Sequence, residues 1–185
     1  MRSLLPALVF LAVLCPAAGQ DRKPDVRYVP TPPEVVEKML EVAKVTSKDV
    51  LYDLGCGDGR IVCAAARKYG CKAIGFDIDP ARIKDSEKSK AREKEEVRKL
   101  ITFQQADVFK LDLSPASVVN LYLLPELNVK LIPQLKKLKP GSRIVSHSWD
   151  MRGVKPDAGF PIRVKKKDGF QRLVYRWTTP LTPEE

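Results

Sequence analysis

The distribution of apolar residues along the chain predicts strands and helices in alternation. Five short apolar runs predict buried strands, at residues 50–54, 72–77, 101–105, 117–123 and 143–148. Four stretches show the helical spacing of apolar residues, at residues 31–43, 58–69, 79–99 and 126–138. Such alternation is typical of parallel strands joined by crossover helices.

Two local signals define the ends of this pattern. Thr31, two prolines and Glu34 open the first helix, which predicts that the Thr31 hydroxyl caps it and that Glu34 completes a capping box. Near the other end, Asp168 and Gly169 separate two alternating segments and predict a hairpin with strands at residues 163–167 and 171–178. Counted together, the predicted strands number seven, and the last pair is antiparallel.

A glycine-rich turn joins the first predicted strand to the helix that follows it. Gly55, Gly57 and Gly59 are spaced G-x-G-x-G. Glycine is needed where φ is positive or where a ligand approaches bare backbone. The helix behind the turn offers free N–H groups and a positive dipole end to an anionic group. The segment therefore predicts a binding site for a nucleotide-like cofactor.

Three acidic residues, Asp53, Asp77 and Asp107, each close a predicted strand. Asp53 would repel a pyrophosphate but attract an ammonium group, which favours S-adenosylmethionine over a nicotinamide dinucleotide. Asp77 lies 22 residues after Gly55, a spacing that suits a carboxylate accepting hydrogen bonds from ribose hydroxyls. Asp107 is placed to accept from the adenine amino group. The alternative is that the three carboxylates only cap loops.

With these motifs the chain resembles the class I S-adenosylmethionine-dependent methyltransferases. Residues 28–32, 53–60, 120–125 and 146–149 further resemble a small bacterial group that is similar to the mitochondrial protein-lysine methyltransferases of inner-membrane proteins. The resemblance covers about residues 25 to 178. It implies an α/β fold, with a Rossmann-like, seven-stranded, mostly parallel sheet, an antiparallel final strand and helices on both faces. The helix expected between strands five and six is missing, because residues 149–161 have the composition of a loop.

The resemblance also implies a set of cofactor-binding residues. Tyr28 and Thr31 would close over the methionine end of S-adenosylmethionine. The complete predicted set is Tyr28, Thr31, Asp53, Gly55, Cys56, Gly57, Gly59, Asp77, Ile78, Asp107 and Val108.

Catalytic candidates lie at the ends of strands four and five. Asn120 could accept a hydrogen bond from an incoming amine, and Tyr122 could form an aromatic wall beside the methyl group. His147, the sole histidine, could act as a base. Each has a structural alternative, as a capping or core residue. The turn at residues 123–125 departs from the Asn/Asp-Pro-Pro-Tyr/Phe motif of methyltransferases acting on adenine or glutamine, which disfavours those substrates.

The first 19 residues have the pattern of a secretory signal peptide, with Arg2, an apolar run and small residues before a cleavage site after Gly19. This predicts a secreted or periplasmic protein. Lipidation at Cys15 and retention as a membrane tether are the alternatives. Residues 20–30 are interpreted as a linker, 31–180 as the methyltransferase domain and 181–185 as a tail.

The formal net charge is +10, and many of the basic residues lie between Arg82 and Lys99. This segment is interpreted as a solvated helix face with paired charges, and contact with an anionic surface is the alternative. No aromatic residues interleave the basic ones, which disfavours nucleic acid as a partner. A single histidine and the lack of a C-x-x-C motif predict no metal site.

The sequence therefore predicts an enzyme that methylates a protein, on a lysine amine by resemblance, with a membrane protein as one possible substrate. A methyltransferase for a small molecule or lipid and a non-catalytic module that binds S-adenosylmethionine are the alternatives. A nicotinamide oxidoreductase is disfavoured by Asp53 and by the glycine spacing. The oligomeric state is not predicted.

Overall fold

The computed structural model describes residues 23–165 and 169–184. The predicted leader and the tip of the predicted hairpin, residues 166–168, lie outside the described residues. The seven strands are β1 Val50–Leu54, β2 Lys72–Asp77, β3 Ile101–Gln105, β4 Val118–Leu121, β5 Arg143–His147, β6 Ile162–Lys165 and β7 Gln171–Thr178. The helices are α1 Pro33–Val42, α2 Arg60–Tyr69, α3 Pro80–Ala91, α4 Glu95–Arg98 and α5 Pro125–Leu135.

The strands form one sheet in the order β3-β2-β1-β4-β5-β7-β6. Strands β1 to β5 pair in parallel, whereas β7 runs antiparallel to both β5 and β6. The predicted mostly parallel sheet with an antiparallel final strand is confirmed. The order reverses direction between β1 and β4, and in such sheets ligands bind beyond the carboxyl ends of the strands at this point.

Both faces of the sheet are covered by apolar layers. One layer packs α1 and α2 against Leu51, Val118, Val145 and Val174. The other layer packs α5 against the intervening strand residues, including Leu121 and Ile144. Alternation of side chains along each strand therefore assigns every residue near the strand ends to one of the two faces.

Two helical predictions need correction. The predicted helix from Asp79 to about Lys99 is two helices, α3 and α4, although Asp79 does cap the first by accepting from the Ala81 N–H at 2.8 Å. At α1, the residue before the helix is Pro32, and no side chain caps it. Thr31 therefore lies one position too early to cap α1.

Three cysteines, Cys56, Cys63 and Cys71, are buried as free thiols. Burial raises the pKa of Cys63 and Cys71 to about 11. In the described residues, no helix is long and apolar enough to span a membrane. The same residues contain no cluster of side chains that could hold a metal ion.

Candidate active site

A cleft of about 980 Å³, a volume that includes the solvent at its mouth, opens beyond the carboxyl ends of β1, β2 and β4. Most of the predicted site residues line it, namely Tyr28, Thr31, Asp53, Gly55, Cys56, Asp77, Ile78, Asp107, Val108 and Tyr122. Gly57, Gly59, Asn120 and His147 do not line the cleft. Gly57 and Gly59 belong to the turn after β1, whereas Asn120 and His147 lie at the ends of β4 and β5.

The glycine turn is fixed to the end of β2 by backbone hydrogen bonds. The N–H groups of Gly55 and Cys56 donate to the Phe76 carbonyl oxygen, at 2.8 and 2.9 Å. Gly57 has a φ of 55°, and a Cβ there would lie 2.3 Å from Cε2 of Tyr28. Glycine is required at this position because Tyr28 packs directly onto the turn. Gly57 thus shapes the cleft wall without lining it.

Gly59 acts behind the turn rather than in the cleft. It precedes α2 with a φ of 76°. A Cβ at this position would lie 2.5 Å from the Phe103 ring. Gly59, one of the predicted cofactor-binding residues, therefore allows the turn to pack closely against β3.

Asp77 organises the turn through both carboxylate oxygens. Oδ2 accepts from the Gly57 N–H at 2.9 Å, and Oδ1 accepts from the Asp79 N–H at 3.0 Å. Burial raises the pKa of Asp77, and these two hydrogen bonds oppose the rise. The carboxylate is therefore fixed at the cleft wall in one orientation, as a ribose-binding acid would need to be.

Asp53 is buried in the cleft wall, with only 3% of its surface exposed. Its Oδ2 atom has no hydrogen-bond partner among the described residues. Burial, followed by repulsion from Asp77 and Asp58, raises the pKa of Asp53 to about 8. An acceptor left unpaired at this depth fits an ammonium group of a bound ligand, because a buried polar atom without a partner is costly.

At the other acid, Asp107, the carboxylate accepts from the Phe109 N–H at 3.0 Å and caps a short 3₁₀ turn, Val108–Lys110. Asp107 is buried and lines the cleft together with Val108. Both residues follow β3, which is the neighbour of β2, the strand that Asp77 ends. Contact with adenine stays a prediction.

Residues 24–31, here called the N-terminal strap, cross the cleft and form one of its walls. Arg60 anchors the strap by donating from Nη1 to the Thr31 carbonyl oxygen at 3.0 Å, while it pairs with Asp58 at 2.6 Å. The Arg82 guanidinium lies 4.9 Å from the centre of the Tyr28 ring. The segment interpreted from sequence as a linker is, from residue 24 onward, part of the site.

The catalytic candidates lie one behind another at the ends of β4 and β5. Tyr122 lines the cleft, and its ring lies against that of His147, with the ring centres 3.9 Å apart and the planes tilted by 31°. His147 is fully buried, and its Nδ1 atom lies 3.2 Å from the Thr31 hydroxyl. Tyr122 and Thr31 therefore separate His147 from the cleft. A direct role for His147 as base would need these side chains to move.

Asn120 is also fully buried, and neither its amide nitrogen nor its amide oxygen has a hydrogen-bond partner among the described residues. It pairs in register with Asp53 on β1, which places both side chains on the same face of the sheet. The predicted contact with an incoming amine stays a prediction. In this structure Asn120 lies beneath the cleft and beside Asp53.

Two residues that sequence reasoning missed hold the site together. Asn128, on α5, donates from Nδ2 to the Asp150 carbonyl oxygen at 2.9 Å and fixes the chain after β5. In the sequence, Asn128 could have been recognised as a polar residue on the buried stripe of α5, which also carries Leu131 and Leu135. Arg60 could have been recognised as a cation at the start of a helix. The helix dipole disfavours a positive charge there, so such a residue needs a partner nearby.

Comparison with known proteins adds to this geometry. The profile of the ANTKMT methyltransferase domain matches residues 53–158. A protein-lysine N-methyltransferase of Saccharolobus islandicus is 45% identical over 72% of this chain and 83% of its own length. A human lysine N-methyltransferase of the ATP synthase C-subunit is 28% identical over 74% of this chain and 57% of its own length.

A crystal structure of an RNA methyltransferase from Salinibacter ruber, in complex with S-adenosyl-L-homocysteine, has a similar fold. It superposes with a TM-score of 0.72 at 47% sequence identity, covering 82% of this chain and 94% of the other. The predicted cofactor, fold class and family resemblance are confirmed by these comparisons. The assignment of individual residues to the cofactor stays a prediction.

Proposed function

Since this chain belongs to the ANTKMT methyltransferase family and is an S-adenosylmethionine-dependent methyltransferase, we propose that it methylates a lysine amine of a protein. The observation that carries the proposal is the 45% identity to a protein-lysine N-methyltransferase over most of both chains. The lysine N-methyltransferases of the ATP synthase C-subunit support it at lower identity.

The residues of the cleft divide the work of binding. In this proposal Asp77 accepts from ribose hydroxyls, Asp53 accepts from an ammonium group, and Asp107 and Val108 contact the remaining end of the cofactor; all four residues line the cleft. The cofactor, when bound, supplies a methyl group already activated by its sulfonium. What the protein must add is alignment of the amine at about 3 Å from the methyl carbon and removal of water.

Tyr122 is the side chain best placed to align the amine. It lines the cleft at the end of β4, next to Leu123. Its ring is supported from behind by His147, so that its face is fixed towards the cleft. An aromatic face attracts the cationic methyl donor and product amine, which favours a tyrosine here over an aliphatic residue.

The shape of the acceptor side favours a large substrate. The chain between β5 and β6, residues 148–161, forms turns and an isolated bridge of Val154 to Pro183, with no helix to cover the cleft. A lysine on the surface of a folded protein or at the end of a membrane helix could reach such a site. A small molecule would gain little enclosure there, which makes a small-molecule or lipid substrate the weaker alternative.

RNA is a second candidate substrate, because the 47% identical structure is that of a protein described as an RNA methyltransferase. The two candidates are separated by one experiment. The full chain is incubated with a radiolabelled methyl donor and either lysine-rich proteins or single-stranded RNA. Each protein is paired with its lysine-acetylated form, which keeps the fold but blocks the amine.

Incorporation into the unmodified protein, lost on acetylation and seen as methyl-lysine by mass spectrometry, is the expected result. Incorporation into RNA alone would overturn the lysine proposal and establish the second candidate. Asp77→Ala serves as the background control, since it carries the same fold with weakened cofactor binding.

We also propose that the domain acts outside the cytosol or on a membrane, on the basis of the N-terminal sequence alone. Cell fractionation with N-terminal sequencing of the mature chain tests this. A mature chain that begins near residue 20 would support export, and a cytosolic chain that begins at Met1 would refute it.

A further inference from the structure

Five large apolar side chains are exposed among residues 23–165 and 169–184. They are Tyr28, Val29, Leu124, Trp149 and Phe170, here called the apolar rim. Phe170 is 66% exposed and Val29 is 54% exposed. Single exposed apolar residues are common on soluble proteins, but a group of them on one edge marks an interaction site.

Topology brings the members of the apolar rim together. Leu124 follows the end of β4, Trp149 follows the end of β5, and Phe170 directly precedes β7. These three strands are neighbours in the sheet, and strands lie about 4.8 Å apart. Tyr28 and Val29 belong to the N-terminal strap and line the cleft. The apolar rim therefore borders the mouth of the active site.

The backbone around Trp149 is fixed so that this side chain stays on the surface. Ser148 has a φ of 64°, in the left-handed region that non-glycine residues rarely adopt. Its N–H donates to the Leu173 carbonyl oxygen at 2.8 Å, and on the other side Asn128 holds the Asp150 carbonyl oxygen. A backbone conformation of this cost persists because the surrounding contacts enforce it.

Basic residues accompany the apolar rim. Arg27 is exposed on the strap two residues before Val29. Arg163 and Lys165 are exposed on β6, where Lys165 pairs with Gln171, the residue after Phe170. Among the acidic residues of this edge, Glu126 is paired with Arg152 at 2.8 Å. On α3, by contrast, two of the four basic residues, Arg82 and Lys88, are paired with Asp85 of the same helix.

We propose that this edge of the enzyme docks on an anionic lipid bilayer, with the apolar rim entering the headgroup region and the basic side chains contacting lipid phosphates. Aromatic residues favour the membrane interface, and basic residues add attraction to anionic lipids. The three aromatic members of the apolar rim could also stack on bases, but the aliphatic Val29 and Leu124 could not, so a lipid surface accounts for the whole rim and RNA for only part of it. In this orientation the cleft faces the bilayer, where it would meet lysines close to the membrane surface.

The two tryptophans allow a direct test, because Trp149 is exposed while Trp177 is buried in the core. The full chain is mixed with vesicles of phosphatidylcholine and phosphatidylglycerol in which a fraction of the acyl chains is brominated. Bromine quenches a tryptophan that enters the bilayer. The signal of Trp149 is the difference between the unaltered chain and Trp149→Phe, in which Trp177 remains as background.

The expected result is quenching of Trp149 by anionic vesicles and much weaker quenching by pure phosphatidylcholine. Binding of the chain without any quenching of Trp149 would mean that another segment, such as residues 1–19, holds it on the membrane, and it would overturn the proposal. The test does not use methyl transfer, so it stands or falls separately from the proposed lysine substrate.

A pair of charge-reversed variants tests the basic component. Arg163→Glu with Lys165→Glu is expected to weaken vesicle binding about tenfold or more, since each basic residue near an anionic surface contributes substantially. The control is Lys48→Glu with Lys72→Glu, which makes the same charge change at exposed positions on the opposite edge. Equal losses of vesicle binding in both double variants would mean that binding depends on net charge and not on this edge, and would refute the proposal.

RNA is included as a competitor in the same assay. Single-stranded RNA that binds the unaltered chain but not the Arg163 and Lys165 variant, with vesicle binding equal in both, would assign the edge to nucleic acid and overturn the lipid proposal. Methyl transfer to the lysine-rich proteins and to RNA is measured in parallel. Vesicle binding together with transfer to RNA alone would refute the proposed function and leave the docking surface standing.

Discussion

The two ends of the cleft are built on different principles. At the ends of β1 and β2, backbone N–H groups and carboxylates bind one another, as Asp77 does with Gly57 and Asp79. At the ends of β4 and β5, side chains pack in layers, with Tyr122 lining the cleft and His147 behind it. The cofactor end is therefore fixed by the main chain, and the acceptor end by side-chain packing.

The two kinds of construction suit two kinds of specificity. A site made from main-chain groups changes little when neighbouring side chains change, so it suits a ligand that every member of a family shares. A site made from side chains can be altered at single positions, so it suits a substrate that varies. Substitutions at the two ends should therefore have separable effects on cofactor affinity and on turnover.

The largest effect is expected at the cofactor end, from Gly57→Ala. The new methyl group would meet the Tyr28 ring at 2.3 Å, and the φ of 55° adds backbone strain. Cofactor affinity should fall by roughly 100-fold or more. Calorimetric titration measures it. Gly159→Ala is the matched control, because its φ is 81° and nothing lies within 4 Å of the new Cβ.

If both glycine variants bound the cofactor equally well, the packing of Tyr28 on the glycine turn would not shape the site. Thermal unfolding should show a loss of about 1–2 kcal/mol in Gly159→Ala, which replaces a glycine in the left-handed region, and a larger loss in Gly57→Ala, where the new Cβ also meets the Tyr28 ring.

Asp77→Ala should have the next largest effect. The Gly57 and Asp79 N–H groups lose their acceptor, and the ribose loses a charged partner, so binding should weaken by about 1.5–3 kcal/mol. Asp112→Ala removes a carboxylate that also accepts from a backbone N–H, at Ser114, but far from the cleft. Unchanged affinity in Asp77→Ala would contradict the placement of the ribose.

Asp53 makes cofactor binding depend on pH. The pKa near 8 means that the free protein holds this carboxyl protonated at pH 7, and a bound ammonium group would ionise it. Affinity should therefore rise with pH by up to about tenfold per unit between about pH 5.5 and pH 7, where an α-amino group stays protonated. Asp53→Asn should abolish this slope, and calorimetry in buffers of different ionisation enthalpy counts the released proton.

The raised pKa of Asp53 has the opposite effect on folding stability, which it lowers as the pH rises. Between about pH 4 and pH 8 the folded state holds a proton on Asp53 that the unfolded chain has lost, so Asp53 lowers stability as pH rises. If Asp53→Asn left the pH dependence of both binding and unfolding unchanged, the buried carboxyl would not be protonated as described.

The smallest effect is expected at the acceptor end. Tyr122→Ala should spare cofactor affinity but lower turnover about two- to fivefold, because the methyl group loses an aromatic face worth about 0.5–1 kcal/mol. Tyr122→Phe keeps the ring on His147 and should retain most of the activity. Full activity in Tyr122→Ala would remove this residue from the mechanism, and lost cofactor binding would remove the separation between the two ends.

The cofactor end was the more predictable from sequence, for a physical reason. The bounds of β1, β2 and β3 agree with those predicted, and the glycine spacing identified the turn. Glycines with positive φ and acids at strand ends are constrained by local backbone geometry, which a short segment of sequence records. The residues that bind there were therefore recognisable one motif at a time.

The acceptor end depends on contacts between distant segments, which short motifs do not record. Thr31 and His147 meet across 116 residues, and this contact replaced the predicted capping of α1. At the break between α3 and α4, Glu93 pairs with Arg67 of α2, which is another contact between distant segments. Neither contact has a local signal, so sequence reasoning extended regular patterns through both positions.

The reactivity of the buried thiols can be used to measure how often this domain opens. Thiolate is the reactive form of cysteine, and a pKa of about 11 leaves about one molecule in ten thousand ionised at neutral pH even before burial blocks the reagent. Alkylation of Cys63 and Cys71 must then pass through molecules that have opened. The rate of their modification, followed by mass spectrometry of the intact chain, would report how often the layer of α1 and α2 separates from the sheet.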